Sequence, residues 1–110
     1  MRAEKRRHEF DMTNRYAPIH PGEILQEEFL VPLSVSAAAL ARAIRVPTNR
    51  VTRLINGQAA VTPDTALRLA RVLSTTPEFW LNLQTRYDLD IAADTAGAYD
   101  DIQPLIARAG

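Results

Sequence analysis

Between Arg45 and Gly57 the chain reads RVPTNRVTRLING, and its side chains sort by type. Thr48, Asn49, Arg50, Thr52, Arg53 and Asn56 carry donors and acceptors, whereas Val51, Leu54 and Ile55 are apolar. Helical positions three and four apart share a face, so this spacing turns the apolar set inward and the polar set outward. Such groups match base-pair edges in the DNA major groove. Arg50 and Arg53 can fork onto guanine O6 and N7, and Asn49 can pair with adenine N6 and N7. Thr48 and Thr52 are short enough for a thymine methyl or a phosphate. Each good bidentate pair contributes roughly 1–3 kcal/mol of discrimination between bases. Any solvated helix also has a polar face, so the neighbouring elements have to decide between the two readings.

Upstream, SVSAAALARAIRV has Ser36 as an N-cap and Ala37, Leu40, Ala41 and Ile44 as a one-sided apolar stripe. Arg45, Val46 and Pro47 then break the helix, because a residue before proline is pushed out of the α region. Val46 is expected to plug the angle, and Pro47 stands at or just before the next first turn. Gly57 ends that helix as glycine does after a C-cap. Two short helices joined by a tight turn, the second polar outside, have the features of a helix-turn-helix whose second helix enters the major groove. Ser36, Arg42, Arg45 and Asn56 are then the candidate phosphate contacts, which set register without reading sequence.

Three further helices frame the pair. One starts at Pro21, with Glu23 at its positive end; Ile24, Leu25, Glu28 and Phe29 share a side, Glu27 lies beside it, and Pro32 is expected to close it. Thr62, Pro63 and Asp64 start the next, with Ala66, Leu69, Ala70 and Leu73 as its stripe. Thr76, Pro77 and Glu78 repeat that start before Phe79, Trp80, Leu83 and Tyr87. Trp80 at this spacing reads as core rather than as an aromatic binding box. The expected fold is small and all-α, with five helices.

The 110 residues carry no net charge, but the charge is unevenly spread. From Arg42 to Arg71 stand six arginines against one acid, Asp64, a balance of +5. From Val72 to the end two arginines face six acids, a balance of −4. A basic middle and an acidic end suggest two surfaces of opposite preference. The chain has no cysteine, which fits a reducing cytoplasm, and no long apolar run that would make a membrane span. His8 and His20 are too far apart for a local metal motif and read as solvent or cap positions. Glu27 and Glu28 are adjacent, so they point apart, and no nucleophile accompanies them. No catalytic site, metal site or cofactor is expected. Residues 1–16 read as a flexible charged arm in which Met12 is a second candidate start, residues 17–91 as the DNA-binding domain, and residues 92–110 as a short helix or tail carrying Tyr99, Ile102, Leu105 and Ile106.

From HPGEILQEEFL through LARAIRVPTNRVTRLING to VTPDTALRLARVLSTTPEFWLNLQTRYDL, roughly residues 17–91, the chain resembles the HigA-type antitoxins. These are small members of the XRE (Cro/repressor) class, and the run TPDTALRLAR…TPEFWLNLQ is specific to them. The resemblance implies a five-helix, lambda-repressor-like domain and a cytoplasmic antidote of a type II toxin–antitoxin module. Such an antidote silences a HigB-like toxin, a RelE-like ribonuclease that cleaves mRNA, and as a homodimer on double-stranded operator DNA represses its own operon. The chain departs from many relatives at Arg45 and Pro47, where they have glycine and serine, and at Ala38, often Asn or Gln. Toxins of this kind are basic, so Glu23, Glu27, Glu28 and the acidic tail are the expected toxin-facing groups. The alternatives are a stand-alone XRE regulator without a toxin and a pure protein adaptor; Arg50 and Arg53 argue against the adaptor.

Overall fold

The computed structural model describes residues 17–107. Five helices form, and no strand occurs among the described residues: α1 Pro21–Leu33, α2 Ala37–Ile44, α3 Thr48–Ile55, α4 Pro63–Leu73 and α5 Pro77–Ala93. No single helix among them is long and apolar enough to cross a membrane. The expected starts form as written. Ser36, Thr62 and Thr76 accept the N–H of Ala39, Thr65 and Phe79 through their hydroxyls, and Pro63 and Pro77 occupy the first turns of α4 and α5. His20 caps α1, its Nδ1 accepting the Gly22 N–H at 2.9 Å.

Helix α1 departs from expectation in its middle. From Leu25 to Leu30 it widens into a π-helical turn, and the Val31 N–H reaches back five residues to the Gln26 carbonyl. Pro32 does not close the helix, which runs on to Leu33. A proline ring in a regular α-helix clashes with the carbonyl four residues back, here that of Glu28, and the wider turn just before it eases that conflict. The same widening rotates Leu30 toward the core beside Leu25; on a regular α-helix the two would diverge by about 140°. Both are buried, while Ile24 and Phe29 are only half-buried.

Four helices end on a residue with positive φ. These are Ser34 after α1, Arg45 after α2, Gly57 after α3 and Ser74 after α4. In each case the next N–H reaches back five residues: Val35 to Leu30, Val46 to Ala41, Gln58 to Arg53 and Thr75 to Ala70. This closure satisfies carbonyls that the helix end would leave bare. Gly57 is the one glycine among the four, as expected for α3. At Arg45 a non-glycine residue takes a left-handed conformation that glycine adopts without steric cost.

The core joins all five helices through Leu25, Leu30, Leu40, Ala41, Ile44, Val51, Leu54, Ala66, Leu69 and Trp80. Trp80 is fully buried; its indole N–H donates to Thr75 Oγ1 at 2.7 Å, and Phe29 and Phe79 pack against it. Val46 packs half-buried in the turn, as expected. Beyond Ala93 the chain runs through turns closed by Ala98 on Thr95, Asp100 on Gly97 and Ile102 on Tyr99. Through residue 107 it is a tail without a helix, and Tyr99, Ile102, Leu105 and Ile106 are exposed on it. The arm, with His8 and Met12, lies outside the described residues.

Candidate nucleic-acid interface

Helix α3 is held from behind at two depths. Val51 and Leu54 insert into the core, and Ile55 packs half-buried beside them. Behind its last turn lies Gly22: a Cβ built there would sit 1.8 Å from the Leu54 carbonyl oxygen. Only glycine lets the start of α1 come this close to α3. The glycine carries no turn signal, so the sequence reading did not single it out. Packed this way, α3 has a single orientation relative to α2, across a turn of three residues.

The outer face carries the expected residues. Thr48, Asn49, Arg50, Arg53 and Asn56 are exposed, and Thr52 is half-buried. Thr48 and Asn49 open the first turn, and Asn56 is the C-cap. Three of the candidate readers are already engaged within the fold. Arg50 Nη1 donates to Asp64 Oδ2 at 2.9 Å, Arg53 Nη2 to the Gln58 carbonyl at 3.1 Å, and the Thr52 hydroxyl to the Asn49 carbonyl at 3.2 Å. Pro47, as N-cap, supplies no side-chain hydrogen bond to the start of α3.

Of the phosphate candidates, Ser36 opens α2, Arg42 is exposed on its last turn and Arg45 is its exposed C-cap. Asp64, expected from the sequence to start α4 and the one acid of residues 42–71, also accepts Arg68 Nε at 2.9 Å. Arg68 Nη1 donates in turn to the carbonyls of Ile44 at 2.7 Å and Arg45 at 3.4 Å. Hydrogen bonds from Arg68 and then Arg50 hold the Asp64 carboxyl below the usual carboxylate range. The arginine excess of residues 42–71 is plain in the sequence, whereas the links from α4 to α2 and α3 arise only in the fold.

The acidic groups lie on other elements. Glu23 and Glu27 are half-buried on α1, and Glu28 is exposed there. On α5, Asp88 accepts Gln84 Nε2 at 3.0 Å and Asp90 pairs with Arg86 at 3.4 Å. Gln84, which sequence reasoning passed over, is buried and accepts the Val61 N–H at 2.7 Å, fixing the loop that leads into α4. His20 packs edge-on against Tyr87, with ring centroids 4.8 Å apart. Burial lowers its pKa, against a hydrogen bond to the Ala59 backbone and the nearby Asp88. No group of three His, Cys, Asp or Glu among the described residues could hold a metal ion.

Comparison with known proteins bears on this arrangement. A helix-turn-helix family model matches residues 27–80. Antitoxin HigA-1 of Vibrio cholerae is 42% identical over 92 residues, covering 80% of this chain and 84% of the relative. An addiction module antidote protein of the HigA family from Coxiella burnetii superposes with a TM-score of 0.74 at 50% identity, covering 79% of this chain and 97% of that one. The Pseudomonas aeruginosa antitoxin HigA, solved with higBA promoter, gives a TM-score of 0.75 at 43% identity over 81% and 99% of the two chains. With its helix-turn-helix, its Trp80-centred core and these relatives along most of its length, the chain belongs to the HigA family of helix-turn-helix antitoxins.

Proposed function

We propose that the chain is the antitoxin of a type II module. It binds double-stranded operator DNA through α3, represses its own operon as a homodimer, and neutralises a HigB/RelE-like mRNA-cleaving toxin. The observation that carries the DNA half is the outer face of α3, with Thr48, Asn49, Arg50 and Arg53 exposed on a helix whose opposite side is locked in the core. A relative of 43% identity was solved with promoter DNA, which supports carrying the reading over. In this reading Thr48, Asn49, Arg50, Thr52 and Arg53 meet base edges, and Ser36, Arg42, Arg45 and Asn56 meet phosphates. One α3 covers only a half-site, so a dimer presents two about 34 Å apart, or a multiple of that.

The toxin half rests on charge. Residues 42–71 carry the basic excess, and a basic partner finds its complement in Glu23, Glu27 and Glu28 of α1 and in the acidic end of the chain. Residues 17–91 would then serve both partners, with residues 92–110 as an accessory tail. The test is to purify the tagged chain from its native cell, identify what accompanies it by mass spectrometry, and assay gel shift with DNA from upstream of its own gene. A small basic protein encoded next door, together with a specific shift, supports the whole reading. A specific shift without any protein partner leaves a stand-alone XRE-class regulator, and no shift removes the DNA half.

A further inference from the structure

An acid on a surface that meets a polyanion needs a reason, because it repels the phosphates that draw the domain in. Asp64 is the one acid among the six arginines of residues 42–71, and it contacts the outer face of α3 directly. Its Oδ2 accepts two guanidinium groups at once, Arg50 Nη1 and Arg68 Nε, each at 2.9 Å. Arg68 is itself anchored, because its Nη1 donates to the Ile44 and Arg45 carbonyls at the end of α2. A continuous rail thus runs from the turn of the helix-turn-helix through Arg68 and Asp64 to Arg50, joining α2, α4 and α3.

A free arginine on a surface is spread over many rotamers, and forming a forked contact requires ordering it. The rail does that ordering beforehand. Asp64 uses a single N–H of Arg50 Nη1, and a guanidinium has five donors, so four remain for a base edge. Thr62 caps α4 by accepting the Thr65 N–H, and an acid in the first turn favours the helix dipole, but neither accounts for the two arginine contacts of Asp64.

We infer that Asp64 is a positioning residue that aims the Arg50 guanidinium at a base edge, with Arg68 holding Asp64 in place, so that this acid raises sequence discrimination while lowering general attraction to DNA. The inference rests on the reading of α3 as the base-reading helix. Asp64→Asn keeps the shape and removes the charge, so nonspecific affinity rises while the specific-to-nonspecific ratio falls. Loss of the acid's charge raises nonspecific affinity whatever its role, and only the positioning role also lowers the ratio.

The experiment measures, by fluorescence anisotropy on the full chain, affinity for a duplex from upstream of its own gene and for a scrambled duplex of the same composition. For D64N we expect the ratio of the two affinities to drop roughly tenfold, the size of one well-formed bidentate contact. Arg68→Gln, which frees Asp64 without removing it, is expected to lower the ratio in the same direction, and D64E to recover part of it. In an Arg50→Ala background D64N should change the ratio no further, because its target is gone. An unchanged ratio in D64N, beside a lowered one in R50A, overturns the positioning role while leaving α3 as the reader. A ratio that D64N lowers equally with and without Arg50 also overturns it. An unchanged ratio in R50A removes Arg50 as a reader, and the inference falls with it.

Discussion

On its inner side α3 presents Val51, 1% exposed, and Leu54, 3% exposed, with Gly22 of α1 pressed against the Leu54 carbonyl. On its outer side the same helix presents Thr48, Asn49, Arg50 and Arg53 to solvent, two of them tethered by single hydrogen bonds to neighbouring segments. The inner face is fixed by packing density, where a methylene or a Cβ too many or too few is felt at once. The outer face is held by exposed polar contacts whose net contribution to stability is small. In the proposed reading, stability and recognition occupy opposite faces of one eight-residue helix, and substitutions should separate them.

The largest effect belongs inside. Leu54→Ala leaves a cavity behind α3, and we expect about 2–5 kcal/mol lost from the unfolding free energy in urea or thermal melts. Gly22→Ala forces a Cβ onto the Leu54 carbonyl, and we expect about 3 kcal/mol lost, the upper end for overpacking, with operator affinity falling because α3 must shift. If Gly22→Ala melted like the unaltered chain, the close approach of α1 and α3 would not be a constraint.

Outside, the sign of the comparison reverses. Arg53→Ala should leave the melting temperature almost unchanged and weaken operator binding by about 1–3 kcal/mol, with relaxed preference at one base position in a panel of single-site operator variants. A smaller effect crosses the two categories at Arg45, whose φ of 65° suits glycine. Arg45→Gly should raise stability by about 0.5–1 kcal/mol through relief of backbone strain. It should also lower affinity for all DNA sequences and flatten the salt dependence by about one unit of slope, as losing a phosphate contact does. Stability and affinity moving together in Arg45→Gly would contradict the division.

The smallest effect is one of pH and concerns His20. Its Nδ1 accepts the Gly22 N–H, which an imidazolium cannot do, and burial lowers its pKa below the 6.5 of the free side chain. Between the lowered native value and 6.5 the unfolded chain binds more protons than the native one, so stability rises with pH across that window. The contribution is present in full above pH 6.5 and declines as the solution is acidified toward the native pKa. Denaturation midpoints measured from pH 7.5 downward should fall in this window, and His20→Asn, which can still cap α1, should flatten the slope.

Much of this division is written locally in the chain. Caps such as Ser36, Thr62 and Thr76, the first-turn prolines Pro63 and Pro77, and the stripes that bury Leu40, Leu69 and Trp80 depend on neighbours within one or two turns. Periodicity and capping chemistry are therefore enough to reveal them. The π-helical turn of α1 was hidden because Leu25 and Leu30 fit no α-helical spacing, and Pro32 read as a stop. The left-handed caps at Ser34, Arg45 and Ser74 were hidden because glycine is the usual mark of that conformation and only Gly57 carries it. The tethers of Arg50 to Asp64 and of Arg68 to Ile44 join residues 14 and 24 positions apart, whereas Asp64 and Arg68 stand four apart on α4. Composition shows the charges, but only the packing of α2, α3 and α4 brings them together.

The most direct test of the central assignment is an NMR titration of the isotope-labelled chain with duplex DNA from upstream of its own gene. The account predicts that the amides of residues 48–53, with those of Ser36, Arg42 and Arg45, shift most, while α5 stays near its free positions. Shifts concentrated on α1 or α5 with α3 unmoved would contradict it.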